Sequence, residues 1–161
     1  MKTTIIGLMT VALAVWAVVA GWPTKTAAIR PISFAAPKVQ RLAPIKWNKS
    51  YSAAVAFAKK NHTLVMVDFY TDWCEWCKKM DTDVYPDQRV ITAVDQFASV
   101  KLDAEKEGAD LAEKYDVDGY PTILILDTQG NLVDRIEGYR DADAFTTDLQ
   151  SLAYGQDANV E

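Results

Sequence analysis

The stretch "DFYTDWCEWCKKMD", residues 68–81, contains both cysteines of the chain, Cys74 and Cys77, separated by two residues. It continues from an apolar run, "TLVMVDFY" at 63–70, whose β-branched and aromatic residues predict a strand buried on both faces. A helix is expected from about Cys74 onward. The cysteine pair therefore lies where a buried strand ends and a helix begins, which is where open α/β sheets place their functional sites.

A cysteine pair at this spacing can be a redox centre, part of a metal site or a structural staple. The staple explains little, because closing such a short loop removes little conformational entropy from the unfolded chain. Zinc would need two more ligands, but the single histidine, His62, is interpreted as a loop residue. A c-type haem attachment needs a histidine at residue 78, which is lysine. Copper(I) binding by the pair, with Met80 as a further soft ligand, stays open.

The redox interpretation has a direct physical basis. Free backbone N–H groups and the dipole at a helix N-terminus favour negative charge, which lowers the pKa of the first thiol. The second cysteine lies one turn later on the same helix face, within reach of a mixed disulfide on the first. The pattern predicts Cys74 as an exposed nucleophile and Cys77 as the resolving thiol.

Helices and strands alternate from residue 45 onward. Strands are predicted at 63–70, 99–103, 121–127 and 132–138, and the last two flank "TQGN" as a β-hairpin. Helices are predicted at 50–61, from about 74 with a break near Pro86, at 87–97, at 108–115 and at 141–152. An α/β alternation followed by an antiparallel hairpin implies a central mixed β-sheet flanked by helices on both faces.

The N-terminal segment has a different character. Residues 3–22 carry no charge and are long enough, as an apolar helix, to cross a bilayer. Lys2 in front and small residues behind also suit a cleaved signal peptide. We therefore expect a signal peptide or membrane anchor at 1–22, a Pro-rich tether at 23–44, the globular domain at 45–155 and a frayed tail at 156–161.

Charge is segregated along the chain. Nine lysines and arginines and no acidic residue precede Asp68, whereas eight basic and 22 acidic residues occur from Asp68 onward. This acidic body argues against a nucleic-acid partner, because a phosphate backbone would be repelled. The apolar N-terminal segment predicts export, with the body membrane-tethered or secreted. The basic residues at 25–41 oppose this orientation, because the positive-inside bias favours a body that faces the cytoplasm.

The combined motifs resemble the thioredoxin superfamily. "VDFYTDWCEWCKK" is followed by "VDGYPTILI", and the W-C-x-x-C-K core, Asp68, the Tyr-Pro-Thr at 120–122 and Gly138 appear in family order across residues 45–153. Within the superfamily, "FYTDWCEWCKKMDTDVYPDQRV" and "LDTQGNLVDRIEGYRDADAF" resemble the C-terminal domain of the DsbD family of thiol–disulfide interchange proteins. Membrane-tethered thioredoxin-like reductases used in cytochrome c maturation are a second group that the chain resembles.

The resemblance implies a thioredoxin fold and a thiol–disulfide oxidoreductase that needs no cofactor and no metal. Cys74 and Cys77 would cycle between a dithiol and a disulfide, and Asp68 would exchange protons with Cys77. Lys101, in the neighbouring strand, would pair with Asp68. The resemblance also implies that the peptide bond before Pro121 is cis.

The residues around the pair are expected to meet a partner. Trp73, Trp76 and Tyr120, together with Pro121, would line the substrate groove. Glu75 stands between the cysteines, where its charge opposes a thiolate and predicts a reductant more than an oxidant. The expected partners are protein disulfide substrates and an upstream thiol donor protein, with the chain itself a monomer. A copper(I)-handling module and a reductase dedicated to cytochrome c maturation are the alternatives.

Overall fold

A four-stranded mixed sheet forms the centre of the structure, a computed structural model that describes residues 41–157. Its strands are β1 (Val65–Tyr70), β2 (Ala98–Asp103), β3 (Thr122–Leu126) and β4 (Leu132–Glu137). They lie in the order β2-β1-β3-β4, with β1 parallel to β2 and the other neighbours antiparallel. The predicted mixed sheet and its β3–β4 hairpin are confirmed.

The helices follow the predicted order. They are α1 (Tyr51–Asn61), α2 (Glu75–Lys79), α3 (Gln88–Val94), α4 (Ala109–Lys114) and α5 (Ala142–Asp157), and a π-helix at Met80–Val84 continues directly from α2. Polar side chains begin several of them. The Ser50 hydroxyl accepts a hydrogen bond from the Ala53 N–H at 3.2 Å, and the Asp141 carboxylate accepts one from the Ala144 N–H at 2.9 Å. These caps satisfy backbone donors that have no partner within the helix.

Helices cover both faces of the sheet, as the sequence predicts. On one face, α1 and α4 pack on Val65, Val67 and Phe69 of β1. On the other, the π-helix, α3 and α5 pack on Met66 and on residues of β3. The arrangement agrees with a thioredoxin fold. Strand β1 is thus enclosed on both faces and on both edges. The chain that follows it leaves at the C-terminal end of the strand, where open α/β sheets place their sites.

The break after α2 has a local cause. Pro86 has no backbone N–H to donate, and the chain turns at Tyr85–Asp87 before α3 begins. The carboxylate of Asp87 then accepts a hydrogen bond from the Arg89 N–H at 2.8 Å and starts the new helix. The predicted interruption near Pro86 is thus confirmed, whereas the π-helix before it was not expected from the pattern.

Some predictions fall at the ends of the described chain. The segment at 1–22 and most of the tether at 23–44 lie outside the described residues, and 41–44 have no regular secondary structure. Helix α5 runs to Asp157, so it includes two residues of the tail that is predicted to be frayed. Among residues 41–157, no helix is long and apolar enough to cross a membrane.

Gly108 gives a test of the packing between β2 and α4. Its N–H donates to the Asp103 carbonyl at 2.8 Å, and a Cβ atom here would lie 2.9 Å from both that oxygen and the Cβ of Leu102. We expect Gly108→Ala to lower the free energy of unfolding by about 1–3 kcal/mol, because backbone must move to relieve the contact. Urea denaturation measures this change.

Gly119→Ala is the matched control for this substitution. An added Cβ at Gly119 meets no atom within 4 Å, so its effect should stay within about 0.5 kcal/mol. Equal losses of stability in the two variants would contradict the packing described for Gly108.

Candidate active site

Cys74 and Cys77 form a disulfide at the start of α2, with their Cα atoms 5.3 Å apart. Cys74 is the N-cap residue of this helix, and its sulfur accepts a hydrogen bond from the Cys77 backbone N–H at 3.0 Å. A donor aimed at the sulfur stabilises the negative charge that appears there on reduction. The local geometry therefore favours a thiolate at Cys74.

The predicted exposure of Cys74 is wrong for the disulfide form. Cys74 is 4% exposed and Cys77 is 3% exposed, so the two residues are almost equally buried. The bond turns the two sulfurs toward each other, and the cap position holds Cys74 against the first turn of α2. What distinguishes the two cysteines in this form is the hydrogen bond to the Cys74 sulfur, not solvent access.

Glu75 lies in solvent beside the pair. Its carboxylate forms an ion pair with Lys78 at 2.7 Å, and the two side chains are 81% and 55% exposed. An exposed ion pair is weakened by water and salt. The negative charge of Glu75 therefore acts on Cys74 with less strength than the sequence alone suggests.

Asp68 is a buried carboxyl group in the middle of β1, 1% exposed. Its Oδ2 accepts a hydrogen bond from the Tyr85 hydroxyl at 2.8 Å and lies 3.5 Å from the Lys101 ammonium. Its Oδ1 is buried and has no hydrogen-bond partner among residues 41–157. Burial raises the pKa of Asp68 above its ordinary value, while Lys101 and Tyr85 act in the opposite direction.

Lys101 is held in place by contacts from several elements. The strand register places it opposite Asp68, and its ammonium also pairs with the carboxylate of Asp81 in the π-helix. The same nitrogen lies 5.1 Å from the ring centroids of Tyr70 and Tyr85, a distance at which cation–π attraction operates. This lysine therefore connects the buried acid of β1 to the helical segment that follows Cys77.

Two exposed tryptophans lie next to the disulfide in the chain, each directly before a cysteine. Trp73 is 62% exposed, donates its indole N–H to the Glu105 carboxylate at 3.0 Å and packs edge-on against Tyr120 at 5.9 Å. Trp76 is 57% exposed and packs against Tyr139 at 5.3 Å. Exposed aromatic rings held by neighbouring groups are typical of surfaces that bind a partner chain.

Pro121 belongs to the same region. The Tyr120–Pro121 peptide bond is cis, and the Pro121 carbonyl accepts a hydrogen bond from the Gly138 N–H at 2.8 Å. Since Tyr120 packs against Trp73, the loop that carries Pro121 lies beside the segment that carries Cys74.

The sequence did not point to Asp81, Tyr85 or Tyr139 as parts of the site. One signal was present, because residues 77, 81 and 85 recur every four positions, as side chains on one helix face do. Tyr139 follows Gly138 at the end of β4, and no spacing rule connects it to Trp76. Only the packed structure brings those two rings together.

The copper alternative gains no specific support from these positions. Met80, its third ligand, is fully buried in the apolar core on the α5 side of the sheet. In the part of the chain that the structure describes, no three His, Cys, Asp or Glu side chains group as metal ligands.

Comparisons with known proteins agree on one family. A model of the thioredoxin-like domain matches residues 51–153. The thiol:disulfide interchange protein DsbD of Haemophilus influenzae (strain PittEE) is 34% identical over 100 residues, which are 59% of this chain and 17% of that protein. The chain thus spans about a sixth of the length of the curated relatives it matches.

Solved structures that resemble this chain include a thioredoxin and a DsbD domain. A thioredoxin from Thermus thermophilus is 27% identical with a TM-score of 0.62, and the match covers 74% of this chain and 98% of that one. The C-terminal domain of DsbD from Neisseria meningitidis, in the oxidised form, is 26% identical with a TM-score of 0.56. That match covers 62% of this chain and 90% of the domain.

The raised pKa of Asp68 makes stability depend on pH. The folded protein binds the proton of the Asp68 carboxyl group more tightly than the unfolded chain does, in which this aspartate has a pKa near 3.8. The resulting stability is fully present below that pH and is lost as pH rises through the folded-state pKa. We expect Asp68→Asn, which stays neutral, to remove this loss and to be more stable than wild type at pH 8 by on the order of 1 kcal/mol or more.

Urea denaturation of the oxidised protein between pH 2 and pH 9 measures this difference, and Asp83→Asn is the control, whose effect appears below pH 4. The hydrogen bond from Lys79 lowers the pKa of exposed Asp83, so its stabilising contribution exists above the unfolded-state pKa and is lost toward acid. The two variants should therefore change the pH slope in opposite directions. A wild type and an Asp68→Asn variant with parallel stability curves would contradict a raised pKa at Asp68.

Proposed function

The chain belongs to the thioredoxin-like family, and we propose that it is a thiol–disulfide oxidoreductase that reduces protein disulfides outside the cytoplasm. The observation that carries this proposal is the Cys74–Cys77 disulfide at the start of α2, with a backbone donor on the Cys74 sulfur. The relatives named as thiol:disulfide interchange proteins support the same chemistry. This chain matches only one domain of those relatives, so a substrate or partner like theirs is a hypothesis for this chain.

The first step is attack on a substrate disulfide by the Cys74 thiolate of the reduced protein. The substrate S–S bond breaks, one substrate sulfur leaves as a thiolate and takes a proton, and the other remains bound to Cys74 as a mixed disulfide. The hydrogen bond from the Cys77 N–H stabilises the Cys74 thiolate before attack.

The second step releases the product. Cys77 loses its proton and attacks the Cys74 sulfur, the mixed disulfide breaks, and the second substrate sulfur leaves as a thiolate that takes a proton from solvent. Two electrons have then moved from the cysteine pair to the substrate, and the pair is in the disulfide form that the structure contains. An upstream thiol donor protein must reduce it for the next cycle.

Asp68 is the proposed acceptor of the Cys77 proton. Burial raises its pKa toward the range in which a thiol and a carboxylate can exchange a proton, and its Oδ1 has no partner among the described residues. Lys101 is its positioning partner, since it contacts the other oxygen, Oδ2.

The partner chain is proposed to bind across Trp73, Trp76, Tyr120 and Pro121. The two tryptophans, each next to a cysteine in the chain, expose most of their surface, and Trp73 packs against Tyr120. Apolar contacts with these rings would align a substrate disulfide with the sulfur of Cys74.

The proposed domain organisation is the one predicted from the sequence. Residues 45–155 would form this catalytic domain, with 23–44 as its tether and 1–22 as its signal or anchor.

The direction of electron flow can be measured by equilibrating the protein with glutathione buffers. We expect a reduction potential nearer about −270 mV than about −120 mV, because Glu75 opposes the Cys74 thiolate even though Lys78 offsets part of its charge. A potential close to the oxidising value would overturn the reductase direction.

Two variants test the separate roles of the cysteines. Cys74→Ser should abolish exchange with insulin, and Cys77→Ser should accumulate long-lived mixed disulfides. Preferential labelling of Cys77 by limiting alkylating reagent would show that the roles are reversed.

The compartment can be tested with alkaline phosphatase fused after Glu161, which is active only when exported. We expect an active fusion that fractionates with membranes or is secreted, because the uncharged run at 3–22 suits an export signal. A matched fusion lacking residues 1–22 should be inactive. An inactive full-length fusion would mean that the basic residues at 25–41 keep the body in the cytoplasm.

A further inference from the structure

The two oxygens of the Asp68 carboxyl have unequal surroundings. Oδ2 accepts the Tyr85 hydrogen bond at 2.8 Å and faces Lys101 at 3.5 Å, whereas Oδ1 is buried without a partner among the described residues. A buried polar atom without a hydrogen bond is costly in a folded protein and requires a reason.

We propose that Tyr85 is a positioning residue for proton transfer, whose hydroxyl holds Asp68 Oδ2 and leaves Oδ1 as the oxygen that accepts the Cys77 proton. This inference rests on the proposed oxidoreductase function and adds a residue to it. No bond other than the S–H bond of Cys77 breaks in this step, and the proton moves to Oδ1 as the thiolate forms.

The packing around Tyr85 fixes the position of its hydroxyl. The side chain is 7% exposed, and its ring is packed edge-on between Trp47 at 5.3 Å and Phe145 at 6.0 Å. Its backbone N–H donates to the Met80 carbonyl at 2.9 Å, so the π-helix holds the main chain as well. The hydroxyl therefore has a fixed direction toward β1.

Tyr85 acts only as a donor to this carboxylate. Burial raises the pKa of Tyr85 well above its ordinary value, and the nearby charge of Asp68 raises it further. The phenol therefore keeps its proton over the pH range in which the cysteines react, and a neutral hydroxyl donates to a carboxylate. Donation favours the charged form of Asp68 and opposes the effect of its burial.

The other charged groups around Asp68 come from two different elements. Lys101 approaches from β2, and Asp81 approaches from the π-helix, where it shares the same ammonium. Lys101 lowers the pKa of Asp68 and Asp81 raises it, so these neighbours act against each other. Tyr85 makes the shortest contact to the carboxyl and carries no charge of its own, so its effect can be separated from theirs.

Tyr85→Phe isolates the hydroxyl, since the ring can keep its contacts with Trp47 and Phe145. Reduced protein is mixed with oxidised glutathione between pH 5 and pH 9, quenched in acid, and the mixed disulfide is quantified by mass spectrometry. We expect its resolution to be about fivefold slower than in wild type on the acid side of the profile and equal on the alkaline side. The rate at which the mixed disulfide forms should not change.

Tyr115→Phe is the matched control. It also removes a hydroxyl that donates a short hydrogen bond, at 2.6 Å to the Gly130 carbonyl, but from the cluster on the opposite face of the sheet. Its pH profile should match wild type. In an Asp68→Asn background, Tyr85→Phe should cause no further slowing, because the group on which it acts is gone.

A second measurement needs no activity. In the oxidised protein, the carboxyl carbon of Asp68, followed by NMR, should titrate at higher pH in Tyr85→Phe than in wild type. In wild type itself, the buried hydroxyl proton of Tyr85 should shift as Asp68 titrates, which tests the contact even if the variant does not fold.

The outcomes separate the inference from the function on which it rests. If wild type forms no mixed disulfide, the proposed function fails, while the two titrations still decide whether Tyr85 controls Asp68. If exchange is normal but the Tyr85→Phe profile and titration match wild type, the role of Tyr85 is overturned. Equal shifts in Tyr115→Phe would also overturn it, because they would reflect a general loss of packing.

Discussion

The enclosure of β1 on both faces and both edges is the constraint on which the rest of the site depends. This strand has neighbours on each side and helices above and below, and its residues 65–69 are buried, so their side chains must be apolar or paired. Its only open direction is its end, where the chain passes into α2 and carries the cysteines. The same enclosure that builds the core therefore places the disulfide at the end of β1, where its two cysteines are 4% and 3% exposed.

Asp68 is the exception within that strand, and its neighbours follow from the cost of burying it. A carboxylate without partners would be neutralised or would destabilise the fold, so the structure supplies Tyr85 from beyond the π-helix and Lys101 from β2. The compensation is incomplete, because Oδ1 has no partner among residues 41–157. Because Oδ1 lacks a hydrogen bond from these residues, the Asp68 carboxyl group takes up a proton more readily than a fully hydrogen-bonded carboxylate would.

The sequence predicted the elements well where the signal was local. The apolar run at 63–70, the C-x-x-C at a strand end and the turn between β3 and β4 each predicted their structure. It missed Tyr85 and Asp81, because their four-residue spacing from Cys77 indicates a shared helix face but not that this face, through a π-helix, meets Asp68. It was wrong on the exposure of Cys74, because a spacing rule describes a helix face and not the shielding of a sulfur within a closed disulfide.

The site has two parts, one built from residues close in sequence and the other from residues far apart in sequence. The Cys74 thiolate depends on short contacts within one turn of chain, namely the Cys77 N–H and the screened charge of Glu75. The proposed path for the Cys77 proton would depend on groups from different parts of the chain that meet only in the folded protein. Substitutions between the cysteines can therefore change the reduction potential without disturbing the buried carboxyl. On the proposed mechanism, substitutions at Tyr85 or Lys101 would change the rate of resolution while the cap on Cys74 stays intact. If both roles hold, redox poise and the rate of disulfide release would be set by different groups, one set local to the Cys74–Cys77 turn and the other gathered by the packing of the fold.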